Sequence, residues 1–141
     1  MNVSDARQVF AEMPVIRVAS VGPDGAPHVV PLWFVWEPEA VYVSVRGSSR
    51  TVAHVRADPR VALVLDAGRT WLELAGVQVQ GKAELWEPSH PDLRRPISRW
   101  HDKYRLLLSA GGFRRFTEDI PELWFLRVVP ERLAGWDHAR E

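Results

Sequence analysis

The chain contains no cysteine. Disulfides, zinc–thiolate sites, iron–sulfur clusters and cysteine nucleophiles are thereby excluded. Lysine is nearly absent too: among 18 basic residues only Lys82 and Lys103 are lysines. Net charge is missing as well, because 18 acidic residues balance the basic ones. No global field therefore favours nucleic acid or an acidic partner. No apolar run is long enough to span a bilayer, and Met1-Asn-Val-Ser-Asp5 lacks the basic-then-apolar order of a signal peptide. A soluble cytoplasmic protein is the expectation. The Gly-x-Ser-x-Gly elbow, the Gly-x-Gly-x-x-Gly fingerprint and the Walker loop do not occur, which speaks against an α/β-hydrolase, a Rossmann NAD enzyme and a nucleotide hydrolase. His28, His54, His90, His101 and His138 are scattered without a His-x-His or His-x-x-x-His pair, so no metal site is expected.

What is present is a 141-residue chain of ordinary apolar content, long enough for one domain over residues 1–141. Its basic residues are mostly arginine, which favours planar, bidentate contacts with phosphate or carboxylate. A high-GC genome is the bland cause of the same bias. Ser4 can cap a short helix that ends before Pro14. Val15 to Val21 is rich in β-branched residues and is predicted as a strand. Gly22-Pro-Asp-Gly25 predicts a turn, and Ala26 to Trp36 the return strand of a hairpin. Pro27 and Pro31 cannot donate ladder hydrogen bonds, so their strand should be edge-like or bulged. After a turn at Glu37-Pro-Glu39, Val41 to Arg46 places Val41, Val43 and Val45 on one face and Tyr42, Ser44 and Arg46 on the other.

A short helix is predicted from about Ser49 to Ala57, stopped by Pro59. Arg60 to Asp66 is mostly apolar and predicts a strand buried on both faces. Ala67-Gly68 turns the chain. Thr70 to Trp86 predicts a bent strand, or two, with Gly76 as the bend. Ser89-His-Pro-Asp92 predicts a capped helix start, with Pro96 kinking the helix or marking its true beginning. Leu93, Ile97, Trp100, Tyr104 and Leu107 recur at helical spacing. Phe113 to Asp119 predicts another helical turn and Leu123 to Val129 the last strand. Pro130 to Trp136 is a tail. About six strands joined by hairpins, with few helices, argue for an antiparallel barrel with peripheral helices.

Two neighbouring features could carry chemistry. Arg46, Ser48, Ser49, Arg50 and Thr51 surround Gly47 directly before a helix. A helix start offers free N–H groups and the positive end of a dipole, and guanidinium groups add bidentate bonds to phosphate. The alternative is a serine that only caps the helix, flanked by solvated arginines. Upstream, the strand from His28 carries Trp33, Phe34 and Trp36, which could support a flat ring, with backbone groups pairing to its polar edge. The alternative there is core or interface packing.

These residues resemble a known family. Val18-Ala-Ser-Val21 with Pro23-Asp-Gly25, the strand His28-Val-Val-Pro-Leu-Trp-Phe34, Val43-Ser-Val-Arg46 with Ser49-Arg50, Arg56-Ala-Asp-Pro-Arg-Val-Ala-Leu63 and Val79-Gln-Gly-Lys-Ala-Glu84 stand in the order found in the pyridoxamine 5′-phosphate oxidase-like split β-barrel flavoproteins. The resemblance is strongest to the branch of flavin- and deazaflavin-dependent oxidoreductases that includes users of coenzyme F-420. It covers roughly residues 14 to 86, with a weaker echo at Val128 to Arg132 and at Trp136.

It implies a mainly β, six-stranded antiparallel split β-barrel and a homodimer with cofactor sites at the subunit interface. By position, Val30, Pro31, Leu32 and Trp33 would line the ring. Ser44, Arg46, Ser48, Ser49, Arg50 and Thr51 would hold the ribityl chain and phosphate, and Trp136 would complete the site from the partner chain. The family usually carries Lys at the position of Arg50. The implied activity is hydride transfer between coenzyme F-420 and an unsaturated small molecule. The alternatives are an FMN-dependent oxidoreductase, a non-catalytic module that binds flavin or haem, and a purely structural dimer. The longer C-terminal arginine set of true pyridoxamine phosphate oxidases is not visible in the sequence, so that substrate is not expected. Since the cofactor would perform the chemistry, no dedicated catalytic acid or base is expected.

Overall fold

The computed structural model describes residues 1–108 and 123–140. Eight strands form one antiparallel sheet in the order β2-β1-β5-β6-β7-β4-β3, and β8 pairs additionally with β6. The strands are β1 (Ile16–Val21), β2 (Pro27–Leu32), β3 (Phe34–Trp36), β4 (Val41–Val45), β5 (Arg60–Ala67), β6 (Ala75–Trp86), β7 (Trp124–Val128) and β8 (Arg132–Asp137). Three helices cover them: α1 (Val3–Phe10), α2 (Arg50–Ala57) and α3 (Arg94–Leu108). β2 and β3 occupy opposite edges of the sheet although only Trp33 separates them in the chain. The sheet must therefore curl until its edges approach. The Ser44 N–H donates to the Trp33 carbonyl at 2.9 Å at that seam. This is a split β-barrel.

The expected return strand from Ala26 to Trp36 is thus two strands with different neighbours. β2 pairs with β1, placing Val30 opposite Val18, whereas β3 pairs with β4, placing Phe34 opposite Val43. β2 is an edge strand, as its two prolines require. The turn before it is held by the Gly25 N–H to the Gly22 carbonyl at 2.9 Å, with Gly25 at φ 80°. That left-handed conformation suits glycine and strains other residues.

The tail expected after Pro130 is instead β8, which pairs Ala134 with Gln78 and Trp136 with Gly76. The short polar–apolar alternation of residues 132–137 gave little warning of it. Gly76 is no bend. β6 is one continuous strand, and Gly76 is the gap that the Trp136 indole fills. β6 changes partner instead: residues up to Lys82 pair with β5, and Ala83 to Trp86 pair with β7. β5 buries one face, with Val61, Leu63 and Leu65 inside; Ala62, Val64 and Asp66 on its other face are half-buried.

Alternation along the strands sorts the apolar residues into two cores. Inside the barrel lie Val18, Phe34, Trp36, Val41, Val43, Val45, Leu63, Val77, Val79, Leu126 and Val128. α1 contributes Phe10 and α2 contributes Val52 and Val55. Outside the barrel, Val35, Tyr42 and Phe125 meet Leu93, Trp100 and Tyr104 of the α3 region. The predicted helical stripe holds as far as Tyr104, while Leu107 is exposed, one turn beyond that cluster. Pro96 stands in the first turn of α3, where its missing N–H costs nothing. One cap assignment shifts: Asn2, not Ser4, accepts the Asp5 N–H at 2.8 Å; the capped start expected at Ser89 to Asp92 is present, with His90 capping the turn at Pro91–Leu93. The helical turn expected at Phe113 to Asp119 lies outside the described residues.

Candidate functional site

The chain leaves β4 at Val45 and enters α2 at Arg50. The Ser49 N–H donates to the Arg46 carbonyl at 3.0 Å, closing a tight loop. Ser49 is the helix cap, its Oγ accepting from the Val52 N–H at 3.3 Å. The first two helical N–H groups, those of Arg50 and Thr51, have no acceptor among the described residues. Helix geometry leaves such groups unsatisfied unless something outside the helix supplies an acceptor. Arg46, Ser48 and Arg50 are exposed, and neither arginine forms an ion pair among the described residues. Gly47 lies flat on the Trp124 indole, where a Cβ would come within 2.7 Å of the ring. The Arg56 guanidinium reaches the same indole at 5.5 Å from its centroid. Trp124 is therefore the floor on which the loop and the third arginine converge.

On the other side of β4 the polar groups are already used. The Ser44 hydroxyl is buried, donates to the Trp33 carbonyl at 3.1 Å and accepts from the Trp100 indole N–H at 3.0 Å. Trp33 stacks on Tyr104 at 4.0 Å with the rings 6° from parallel. The Tyr104 hydroxyl accepts from the Phe34 N–H at 2.9 Å and donates to the Pro14 carbonyl at 2.8 Å. Burial pushes the Tyr104 phenol well above its ordinary range. Lys103 donates to the Ala11 and Phe34 carbonyls, both at 2.9 Å, and burial lowers its ammonium to about 8.

The predicted ring residues divide between the two faces of β2. Val30 and Leu32 share the half-buried face with His28, and Pro31 shares the exposed face with Pro27 and Val29. A flat ring cannot lie on both faces of a strand. The exposed face and the outer edge of β2 are the surfaces it leaves open. The predicted phosphate residues, Ser44 apart, come together as one group at the start of α2. Trp136 sits on β8 over Gly76. A cleft of about 700 Å³ lies beside β1, β5 and β6, lined by Ser20, Arg60, Gln80 and Lys82 among others, and contains none of the predicted residues.

One grouping joins residues that no sequence motif connects. His28 and His54 meet edge to face at 5.0 Å, and His54 Nδ1 lies 3.0 Å from the buried Ser20 hydroxyl. This ties α2 to the β1–β2 hairpin, so the candidate ring strand and the candidate phosphate helix are held in register. One signal was available: His54 follows Arg50 by one helical turn, which puts both on one face of α2. Among the described residues no third potential ligand makes this pair a metal site.

A family model for pyridoxamine 5′-phosphate oxidase matches residues 4–137. The chain belongs to that family. No curated protein matches it. Among solved structures, a conserved hypothetical protein from Mycobacterium tuberculosis is 25% identical, with a TM-score of 0.78 over 98% of this chain and 86% of the other. A FAD-binding protein from Mesorhizobium loti is 21% identical, with a TM-score of 0.70 over 96% of this chain and 94% of the other. An F-420 reductase is 19% identical, with a TM-score of 0.69 over 91% of this chain and 94% of the other. The last two likenesses concern the fold. Family membership and the split barrel match the resemblance seen in the sequence, with eight strands in place of about six. No helix among the described residues is long and apolar enough to cross a membrane.

Proposed function

We propose that this family member is an oxidoreductase that binds coenzyme F-420 and passes hydride between it and an unsaturated small molecule. The observation that carries the reading is the start of α2. Two backbone donors without acceptors, two exposed arginines and the dipole end of a helix converge on one spot, where Gly47 lets the loop pack closely on the Trp124 indole. An anion placed there is bound by groups that nothing else in the described chain uses. Arg46, Ser48, Ser49, Arg50 and Thr51 would hold the phosphate. Trp124 supports them from beneath, and Ser44 lies apart on the other face of β4. The ring would lie along the free outer edge of β2, against the backbone of Val30, Pro31 and Leu32, with Trp33 behind it in the α3 cluster.

When bound, such a cofactor supplies the hydride; the protein binds and orients it and limits water around it. The choice of F-420 over FMN rests on Arg56. Its guanidinium lies over the Trp124 indole that also backs Gly47, which adds a third cation beside the loop, more than one phosphate requires. An anionic tail extending from the phosphate matches it. A homodimer fits the exposed outer face and free edge of β2, with Trp136 of a second copy near the ring, and sedimentation of the purified chain tests this directly.

The deciding experiment titrates purified protein with FMN and with coenzyme F-420, following tryptophan fluorescence. The reading expects tighter binding of F-420, weakened at least tenfold by Arg50→Ala. Tighter binding of FMN would leave the fold and phosphate site but replace the cofactor. Binding of neither would end the reading.

A further inference from the structure

A second polar cleft lies away from α2, where α1, the end of β3 and α3 meet. It has a volume of about 300 Å³. Its charged lining is balanced: Arg7, Arg99 and Lys103 face Glu12, Glu37 and Asp102. Glu37 is the unusual member. Its side chain is 4% exposed, yet Oε1 accepts no hydrogen bond. The nearest cations, the Nε atoms of Arg95 and Arg99, stand at 3.7 Å, beyond hydrogen-bond reach. Both arginine side chains are more than half exposed, so their attraction is screened by solvent.

A buried carboxylate oxygen without a donor is costly, and the cost is removed by any donor that enters the cleft. The other polar groups of the cleft are partly spoken for. Lys103 holds the Ala11 and Phe34 carbonyls, and Asp102 pairs with Arg105 at 3.1 Å. Arg7 spends only Nε, on the Trp36 carbonyl at 2.7 Å, which leaves its two terminal nitrogens as donors. The cleft thus combines one deep acceptor with guanidinium donors from Arg7 and Arg99.

We infer that this cleft binds a small zwitterion, a free α-amino acid or a close analogue. The ammonium would donate to the Glu37 carboxylate, and the carboxylate of the ligand would take the fork of Arg7 with Arg99. The equal numbers of positive and negative side chains favour a ligand of no net charge over a simple anion or amine. The volume equals about ten waters, which limits the ligand to the smaller amino acids. Nothing in this inference depends on the cofactor at α2.

Calorimetric titration of the full chain with alanine, serine and aspartate tests it, with acetate and methylammonium as controls carrying only one of the two charges. The amino acids should bind, and each control should bind at least tenfold more weakly. Glu37→Gln removes the charge with little change of shape and should weaken amino-acid binding about tenfold or more. Arg99→Ala, at a side chain more than half exposed, should weaken it as well and serves if Glu37→Gln fails to fold. Absence of binding at millimolar amino acid would overturn the inference, leaving water as the partner of Glu37. So would equal binding of acetate, or a Glu37→Gln protein that binds like wild type.

Discussion

Ser44 lies under α3, its hydroxyl donating to the Trp33 carbonyl and accepting from the Trp100 indole. Ser48, a little further along the same stretch of chain, is exposed in the loop that begins α2. The contrast extends to their surroundings. Around Ser44, the hydroxyl, phenol and ammonium that burial would penalise have found partners inside the protein: Tyr104 serves Phe34 and Pro14, and Lys103 serves two carbonyls. Around Ser48, two arginines and two helical N–H groups have none among the described residues. Residue types alone would not separate the two regions, since both hold hydroxyls, aromatics and cations. What separates them is hydrogen-bond satisfaction. A satisfied network stabilises one packing, while a set of unsatisfied donors facing solvent has affinity to spare for a ligand.

The comparison can be broken by removing a member of either region. The largest effect is expected from Trp100→Ala. It empties a fully buried indole site and strips Ser44 of its donor. It should cost about 3–5 kcal/mol of unfolding free energy in urea, and a loss below about 1 kcal/mol would show that the α3 region is not the packed core described here. Tyr104→Phe keeps the ring on Trp33 but leaves the Phe34 N–H and the Pro14 carbonyl without their partner. A loss of about 1–3 kcal/mol is expected, read from the same denaturation curves.

The next effect is a dependence on pH. Between about 8 and the ordinary lysine value of 10.5, Lys103 is deprotonated in the folded protein and protonated in the unfolded chain. The unfolded state binds the extra proton in that window, so stability should rise with pH through it. A neutral amine still donates to both carbonyls, and the clamp survives. From about pH 10 upward Tyr104 opposes the rise, because its phenol holds a proton in the folded state that the unfolded chain gives up. Urea midpoints at about pH 7.5 and about pH 9.5 should therefore differ, and Lys103→Gln should abolish the difference. The smallest effect on stability belongs to the other region. Arg50→Ala should change unfolding free energy by less than about 0.5 kcal/mol while reducing affinity for a phosphorylated cofactor at least tenfold. A variant that unfolds as readily as Trp100→Ala would place Arg50 in the structure and not in a site.

Most of the barrel was legible before any coordinates, because strands with one face inside announce themselves. Val41, Val43 and Val45 alternate with Tyr42 and Ser44, and the structure puts the first set in the barrel and the second under α3. The Gly22–Gly25 turn, the Ser49 cap and the stop at Pro59 are local backbone chemistry and were equally plain. The break at Trp33 was not, since nothing local distinguishes one long strand from two that pair on opposite edges. β8 escaped notice because its residues are only partly buried, and its partner β6 lies far away in sequence.

The sequence by itself determined the fold class, the family and the grouping of polar residues at the start of α2. Those depend on period, turns, caps and short-range spacing, all of which are properties of neighbouring residues. Only the tertiary structure decided which polar groups remain unsatisfied. It placed Trp124 beneath Gly47, gave the Ser44 hydroxyl to Trp33 and Trp100, brought His28 against His54, and buried Glu37 without a donor. Each of these results joins residues distant in the chain. Whether a hydroxyl or a carboxylate is structural or free to bind is fixed by where the barrel closes, because closure determines which donors and acceptors lose water and which keep it.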